Sequence, residues 1–349
     1  MRALILGGTS FIGPHVVAEL AARRHDVAVF HRGQTAARLP AGTVEIAGDR
    51  RQLAEHVHAL RAFAPDVVID MTCMTEALAR DAVEVFAGFA RRLVMISSMD
   101  VYRAYGGLHR TERVEPSGEP LTEDAPLRRV LHPYRGSGMA AEGLFDPDEY
   151  DKIPAERVVL TAADLDPRVV RLPAVYGPGD RQHRIGPYLK RMDDGRRAIL
   201  VSTTQARWRW TQAYVEDVAH GIVLAATRDE APSRIYHLGP TETPDVATWI
   251  AAIGRAARWR GRVVAVPDDV LPAHLRMAVD MRHHLAADTT RARTELGYRA
   301  LYPTVEGLRR TIAWERAHPP AQYADPAYCA RQFDYAAEDA ALAADAERG

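Results

Sequence analysis

Gly7, Gly8 and Gly13 stand at spacings that suit one chemistry, the holding of a pyrophosphate. They lie in the run Met1-Arg2-Ala3-Leu4-Ile5-Leu6-Gly7-Gly8-Thr9-Ser10-Phe11-Ile12-Gly13, where a short apolar strand turns and opens onto a helix beginning Pro14-His15-Val16. Gly7 permits the tight turn, small residues let the backbone approach the phosphates, and Gly13 allows close helix–strand packing. The helix N-terminus adds free N–H groups and a positive dipole end. Pro14 suits a first turn, where its missing N–H costs nothing. The spacing predicts that Gly7, Gly8, Thr9, Ser10, Phe11, Ile12 and Gly13 bind a nucleotide cofactor; the bland alternative is a tight turn with no ligand.

Lysine is the second informative residue type. Of 45 Lys and Arg residues, only Lys152 and Lys190 are lysine. A chain that writes nearly every cation as Arg gives each remaining Lys weight. Cysteine carries no such signal: Cys73 and Cys329 alone make neither a disulfide framework nor a metal site. His283-His284 lacks metal spacing with other ligands and reads as surface or packing. No metal is expected.

The elements that must position these residues follow from the apolar pattern. Strand-like runs are Ala3–Leu6, Asp26–Phe30, Val44–Ala47, Asp66–Asp70, Arg92–Ser97 and Arg168–Leu172, with helical patterns at about 14–24, 51–63 and 75–90. Such alternation predicts right-handed crossovers and a doubly wound parallel sheet of the Rossmann type, with the ligand crevice at the carboxyl ends of the strands. After Gly177-Pro178-Gly179-Asp180 the rhythm breaks. We therefore expect a dinucleotide-binding domain over 1–180, rejoined by 212–240 through a helix at about 214–227 and a strand Arg234–Leu238. Segments 181–211 and 241–320 would form a smaller, mixed substrate-binding lobe, and 321–349 a tail, rich in Ala, Asp and Glu.

A length of 349 residues and 47% hydrophobic content suit one large α/β domain with a lobe. The formal net charge of −1 offers no electrostatic footprint for nucleic acid or an acidic membrane. No apolar run approaches the ~20 residues needed to span a bilayer. The first strand begins at once, without room for a signal peptide, so the expected compartment is the cytoplasm.

Further motifs give the pattern a family. Gly7–Gly13, Gly48-Asp49, Ser97-Ser98-Met99-Asp100-Val101-Tyr102, Arg171-Leu172-Pro173-Ala174-Val175-Tyr176-Gly177-Pro178-Gly179, Tyr214-Val215-Glu216-Asp217-Val218-Ala219 and Leu296-Gly297-Tyr298 occur in this order over roughly residues 1–318. In this the chain resembles the extended short-chain dehydrogenase/reductases, the NAD-dependent epimerase/dehydratase group. Ser10 replaces the middle glycine of the family's Gly-x-x-Gly-x-x-Gly, as in atypical members. The resemblance places Asp49 at the adenine, Met71 and Thr72 beside the dinucleotide, and Pro173 among the cofactor-binding residues. The second strand ends in Phe30-His31-Arg32-Gly33, where an NAD site usually carries an acid for the ribose 2′-OH and an Arg accommodates a 2′-phosphate. His31 and Arg32 therefore lean the cofactor, NAD(P), toward NADP. The alternative for Arg32 is a solvated loop cation.

Family catalysis rests on a Ser or Thr, a Tyr and a Lys: the tyrosine is acid/base, and the lysine lowers its pKa and holds the nicotinamide ribose. Ser98 occupies the hydroxyl position. The usual Tyr-x-x-x-Lys is absent, since Gly138 stands four after Tyr134 and Asp148 four before Lys152. Pro154 argues for a helix starting near Lys152 with Asp151 as N-cap. Tyr150 would then lie in the preceding loop, free to turn into the site. Ser98, Tyr150 and Lys152 are the expected catalytic set, with Tyr134 and Asp148 as alternatives for the acid/base. Dehydratases of the family place an acidic residue near Asp100, but their Asp-Glu pair is here Met99-Asp100.

On the substrate side, Gln182-His183-Arg184 and Arg207-Trp208-Arg209-Trp210 combine guanidinium and indole groups. They suit a phosphate and a stacked ring, or equally a Trp pair with solvated Arg neighbours. Relative to Asp217, the family's diphosphate-binding Arg position holds Trp210. The resemblance implies epimerisation, dehydration or reduction at a carbinol or carbonyl carbon of a small, sugar-like substrate, in a chain that forms a homodimer through a helix pair. Competing readings are non-redox proton transfer or cyclisation in the same cleft, and a non-catalytic nucleotide- or RNA-binding scaffold.

Overall fold

Uninterrupted apolar runs suit strands covered on both faces, and Leu4, Ile5 and Leu6 are fully buried in the first strand, β1 (Arg2–Leu6). The computed structural model describes residues 1–347. From β1 the chain continues through α1 (Ile12–Ala22), β2 (Asp26–His31), β3 (Val44–Ala47), α2 (Val57–Phe63), β4 (Val67–Asp70) and α3 (Glu76–Phe86). Then come β5 (Arg92–Ser98), α4 (Arg103–Leu108), α5 (Lys152–Leu160), β6 (Asp166–Leu172), β7 (Ala174–Tyr176) and α6 (Gly186–Asp193). The remainder is β8 (Ala198–Ser202), α7 (Thr203–Arg207), β9 (Gln212–Tyr214), α8 (Val215–Thr227), β10 (Ile235–His237), α9 (Val246–Ala257), β11 (Arg262–Val266), α10 (Thr304–Ala317), α11 (Pro326–Gln332) and α12 (Tyr335–Ala346).

Seven of these strands form the doubly wound parallel sheet, in the order β3-β2-β1-β4-β5-β6-β10. Leu6 pairs with both Phe30 and Asp70, so β1, β2 and β4 end level. The order reverses between β1 and β4, which opens the crevice above their carboxyl ends. Side chains alternate between two cores: Ala3 and Ile5 pack with Val16, Val17 and Leu20 of α1, whereas Leu4 and Leu6 pack with Leu60, Leu78 and Phe86. Each such fully buried aliphatic side chain contributes roughly 1.5–3 kcal/mol. Helices α1 and α8 cover one face, and α3 and α5 the other.

The helix limits have local causes. Thr75 caps α3 by accepting from Leu78 N at 3.3 Å. The helical pattern at 51–63 is broken in two, because Asp49 caps a tight 3-10 turn over Arg50–His56 with Gln52 outside helical geometry, and α2 follows it. The first helix starts at Ile12 rather than Pro14, which still leaves Pro14 in the first turn.

Beyond β6, β7 pairs with β9 and β8 with β11, both parallel. β10 returns to the main sheet beside β6. Residues 109–151 carry no helix or strand and make only isolated β-bridges, such as Tyr102 to Leu127 and Leu121 to Ala287. Loops of this length are usually functional. The expected tail, 321–349, is largely helical: Glu338 of α12 is buried and takes Arg191 of α6 at 2.8 Å. Its last residues, Arg348 and Gly349, lie outside the described residues.

Candidate active site

The glycine turn sets the N-terminus of α1 beside the ends of β1 and β4. Gly7 has φ +82°, and a Cβ on it would lie 2.3 Å from Thr72 Cγ2. A Cβ on Gly13 would lie 2.6 Å from the Gly8 carbonyl carbon, so only glycine lets α1 approach this closely. Phe11, the N-cap, holds φ 45° and packs near Gly179. A non-glycine residue in that region stores on the order of 1–3 kcal/mol, and such strain collects at ligand sites. No side chain among the described residues caps α1; Gly13 N donates to Ser10 O at 2.9 Å and Pro14 has no N–H, so the Ile12 N–H and the positive end of the helix face the turn. The turn thus fits a dinucleotide: a cradle that one methyl group would fill, facing the positive end of a helix with no side-chain cap.

Around it, Met71 N donates to Leu6 O at 3.1 Å, and Thr72 N and Oγ1 donate to Asp70 Oδ1 at 2.9 and 3.0 Å. Asp70 also pairs with buried Arg50 at 2.7 Å. Pro173 is buried between β6 and β7. Asp49 accepts from Arg51 N. At the end of β2, His31 Nδ1 accepts from Gly33 N at 3.2 Å, so its Nε2–H faces Glu45 Oε2 at 2.9 Å. Arg32 is exposed. Its Nη2 lies 3.7 Å from the point a Gly143 Cβ would occupy, and Arg51 donates to the Gly143 carbonyl. The loop around Gly143 therefore reaches back to this edge, where two guanidinium groups meet; sequence spacing does not bring Arg51 to notice. On its other side, Glu142 pairs with Arg181.

The anticipated start of α5 is present. Asp151 is its N-cap, accepting from Ile153 N at 2.9 Å, with Lys152 the first helical residue and Pro154 in the first turn. Asp151 also takes His132 N at 2.7 Å and Arg128 Nη2 at 3.1 Å, which ties the long loop to the helix. Tyr150, just before the cap, turns inward and is 6% exposed. Its hydroxyl donates to Asp100 Oδ2 at 2.8 Å and lies beside the Ser98 side chain, whose Oγ accepts from Asp100 N. Lys152 is buried; its Nζ donates to Cys73 O at 2.6 Å and Ile96 O at 3.1 Å, and lies 5.7 Å from the Tyr150 ring centroid. The fold thus brings Ser98, Tyr150 and Lys152 together.

The two alternatives for the acid/base separate here. Tyr134 joins the group, its hydroxyl donating to Asp100 Oδ2 at 3.1 Å and lying 3.0 Å from the Tyr105 hydroxyl. Asp148 does not: it is exposed, and its carboxylate accepts from Gly136 N. Asp100, given little weight in the sequence, is the hub of the cluster. The available signal was a lone acid two residues past Ser98, at the end of a buried strand.

Burial dominates the electrostatics. It lowers the Lys152 pKa, against the pull of Asp100 and Asp70, and pushes the Cys73 thiol up to about 12. It raises Tyr150 and Tyr134 well above the ordinary phenol value, and the Asp100 charge adds to both. Asp100 is itself raised by burial, partly offset by Arg128 and the two phenols.

A second buried network stiffens the floor. Arg171 holds Glu156 through Nη2 at 2.7 Å and donates from Nη1 to the Tyr102 hydroxyl and Glu123 O, each at 2.8 Å. Ser97 donates to Glu156. His237 Nδ1 faces the Asp288 carbonyl at 2.9 Å, so Nδ1 carries the proton and Nε2 accepts from Tyr102. Desolvation lowers the His237 pKa to about 4.

In the segment after α7, Trp208 is buried, donates to His283 O at 2.9 Å and stacks on Trp210 at 5.2 Å, packed with Leu108 and Leu285. Arg207 and Arg209 are exposed. His183 pairs with Glu315, and Arg184 with Asp180. His284 accepts from Arg209 N, and His283 is buried beside Gly107. Among the described residues, no cluster of His, Cys, Asp or Glu has the grouping of a metal site. No helix among them is long and apolar enough to cross a membrane.

Comparison with known proteins places this geometry. Residues 3–239 match the model of the NAD dependent epimerase/dehydratase family. A 3-diazoavenalumate denitrifying reductase from a Streptomyces species is 28% identical over 326 residues, spanning 89% of this chain and 100% of the relative. A 2'-dehydrokanamycin reductase from Streptomyces kanamyceticus is 29% identical over 245 residues, 68% of this chain and 61% of the relative. In fold, the chain is similar to the Thermus thermophilus UDP-glucose 4-epimerase solved with NAD, at TM-score 0.65 and 22% identity, over 91% of this chain and 100% of that one.

Proposed function

The chain belongs to the NAD-dependent epimerase/dehydratase family, and from that premise we propose that it is a reductase acting on a carbonyl group of a small, sugar-like molecule. The observation that carries this reading is the convergence of Ser98, Tyr150 and Lys152, with Lys152 bonded to Cys73 O in the loop whose Thr72 abuts Gly7. Two relatives that match it are named as reductases, and Met99 stands where a dehydratase-type acid pair would need a second carboxylate. When bound, a reduced nicotinamide dinucleotide supplies the hydride. Ser98 holds the carbonyl oxygen, Tyr150 protonates it, and Lys152 fixes the ribose and the local field. Gly7 to Gly13 hold the pyrophosphate, Asp49 the adenine, and Met71, Thr72 and Pro173 line the remainder.

Arg32, joined by Arg51, favours a ribose 2′-phosphate and hence NADP. In the same proposal, residues 1–180 with 212–240 hold the dinucleotide, 181–211 and 241–320 hold the substrate, and the protein works in the cytoplasm. Helices α3 and α5 lie side by side with Val83, Leu131, Pro154 and Val158 along a shallow outer groove, and a second copy covers it in a homodimer. Titration calorimetry with NADPH and NADH tests the cofactor. We expect NADPH to bind more tightly by roughly tenfold or more, and Arg32→Ala to remove the difference. Absence of binding by both dinucleotides would sink the reading. Light scattering reads the mass of the assembly.

A further inference from the structure

Asp100 is a buried carboxyl with an unusual set of neighbours. One oxygen, Oδ2, takes the hydroxyls of both Tyr150 and Tyr134. The other, Oδ1, is buried with no hydrogen-bond partner among the described residues. Arg128 lies close but is committed to the carbonyls of Asp100 and Val130 and to Asp151. Lys152 gives its protons to Cys73 O and Ile96 O. Among the described residues no cation bonds the carboxylate directly, and an unpaired buried charge is costly whereas the neutral acid is not. The ammonium that would favour a phenolate is likewise held by carbonyls, while the neighbouring carboxyl disfavours one.

We infer that Asp100 stores the proton delivered by this site, and that Tyr150 passes it on while remaining a neutral phenol. The inference rests on the reductase reading above. With hydride supplied by a reduced nicotinamide, the carbonyl carbon is reduced and its oxygen takes the Tyr150 proton. For this the Tyr150 hydroxyl turns from Asp100 Oδ2 to the carbonyl oxygen and the protonated Oδ2 donates to the Tyr150 oxygen; the Tyr150 oxygen takes that proton in the same motion, which leaves Asp100 as carboxylate. Tyr134 and Tyr105, their hydroxyls 3.0 Å apart, hand a proton back to the carboxylate and regain one from solvent when the product leaves. Asp100 is a positioning and relay group; Tyr150 is the one that touches substrate. The charged and titratable groups facing Asp100 are Tyr105, Arg128, Tyr134, Tyr150 and Lys152.

The first test needs no substrate. Infrared spectra of the full protein over a pH series should contain a carboxylic-acid carbonyl band that persists above the ordinary aspartate range of about 4. Asp100→Asn should lack it. Should that variant fail to fold, Tyr134→Phe, which removes one bond to the carboxylate, should shift the disappearance of the band to higher pH. Ultraviolet titration should find the Tyr150 phenolate only above pH ~10. With phenanthrenequinone and NADPH as probe, the reduction rate should fall as pH rises through the Asp100 transition, and Asp100→Asn should remove that limb. Absence of the acid band in the wild-type protein, or a phenolate that forms below that range and is lost in Tyr150→Phe, overturns the inference. Dinucleotide titration reads the underlying reductase proposal separately.

Discussion

Tyr150, Ser98 and Lys152 differ in how far each could be read from the chain. Lys152 was legible because lysine is scarce and because Pro154 requires a helix start close by. Tyr150 was legible only as an option, since its role depends on a loop turning inward. Asp100 was nearly illegible: its importance comes from Tyr134 and Tyr150, 34 and 50 residues away, and no local pattern announces such partners. At this scale, Tyr150→Phe should lower turnover by about 10²–10⁴-fold, and Ser98→Ala by roughly 10²-fold, in steady-state assays with the dinucleotide saturating. Lys152→Met should abolish turnover while the melting temperature holds or rises, because a desolvated ammonium gives way to an apolar chain of similar length. A fall in melting temperature would instead mark Lys152 as a structural residue. Arg171→Met leaves Glu156 buried and unpaired, and should cost about 3–5 kcal/mol in urea unfolding.

Elements were read more reliably than residues. Strands β1 to β6 and the start of α5 follow from apolar runs and capping chemistry that act over a few neighbours. The segment 109–151 has no period to read, yet it supplies Arg128, Tyr134 and Tyr150. Its conformation is imposed by tertiary ties, chiefly Asp151 gripping Arg128 and His132 N. Asp151→Ala should therefore do more than remove a cap worth about 0.5–2 kcal/mol. It should loosen the loop and raise amide hydrogen exchange through residues 128–150, with the sheet unaffected. Gly13→Ala tests the opposite kind of constraint, a contact with no slack. A methyl group there meets the Gly8 backbone, so α1 must shift; we expect a loss of about 1–3 kcal/mol and weaker dinucleotide binding by calorimetry.

For the whole molecule, the parallel sheet was legible because alternating strands and helices permit few topologies, whereas β7, β8, β9 and β11 are short strands whose pairing no spacing rule fixes. The buried floor beneath the site also sets a pH response of the entire fold. His237 stays neutral in the folded state down to about pH 4, while in the unfolded chain it binds a proton below about 6.5. Stability attached to this residue is thus full above pH 6.5 and is lost as pH falls toward 4, on the order of 3 kcal/mol in all. Denaturant midpoints measured across that window should decline in the wild-type protein and decline less in His237→Gln, which keeps an acceptor for Tyr102 without titrating there. The scarcity of lysine has a practical consequence. Lys190 sits at the surface in an ion pair with Asp194, and Lys152 is sealed inside. An amine-acylating reagent should therefore tag the folded chain at Lys190 and reach Lys152 only when the cleft breathes. The slow appearance of label at Lys152, read by mass spectrometry, becomes a clock for opening of the buried cluster around Asp100.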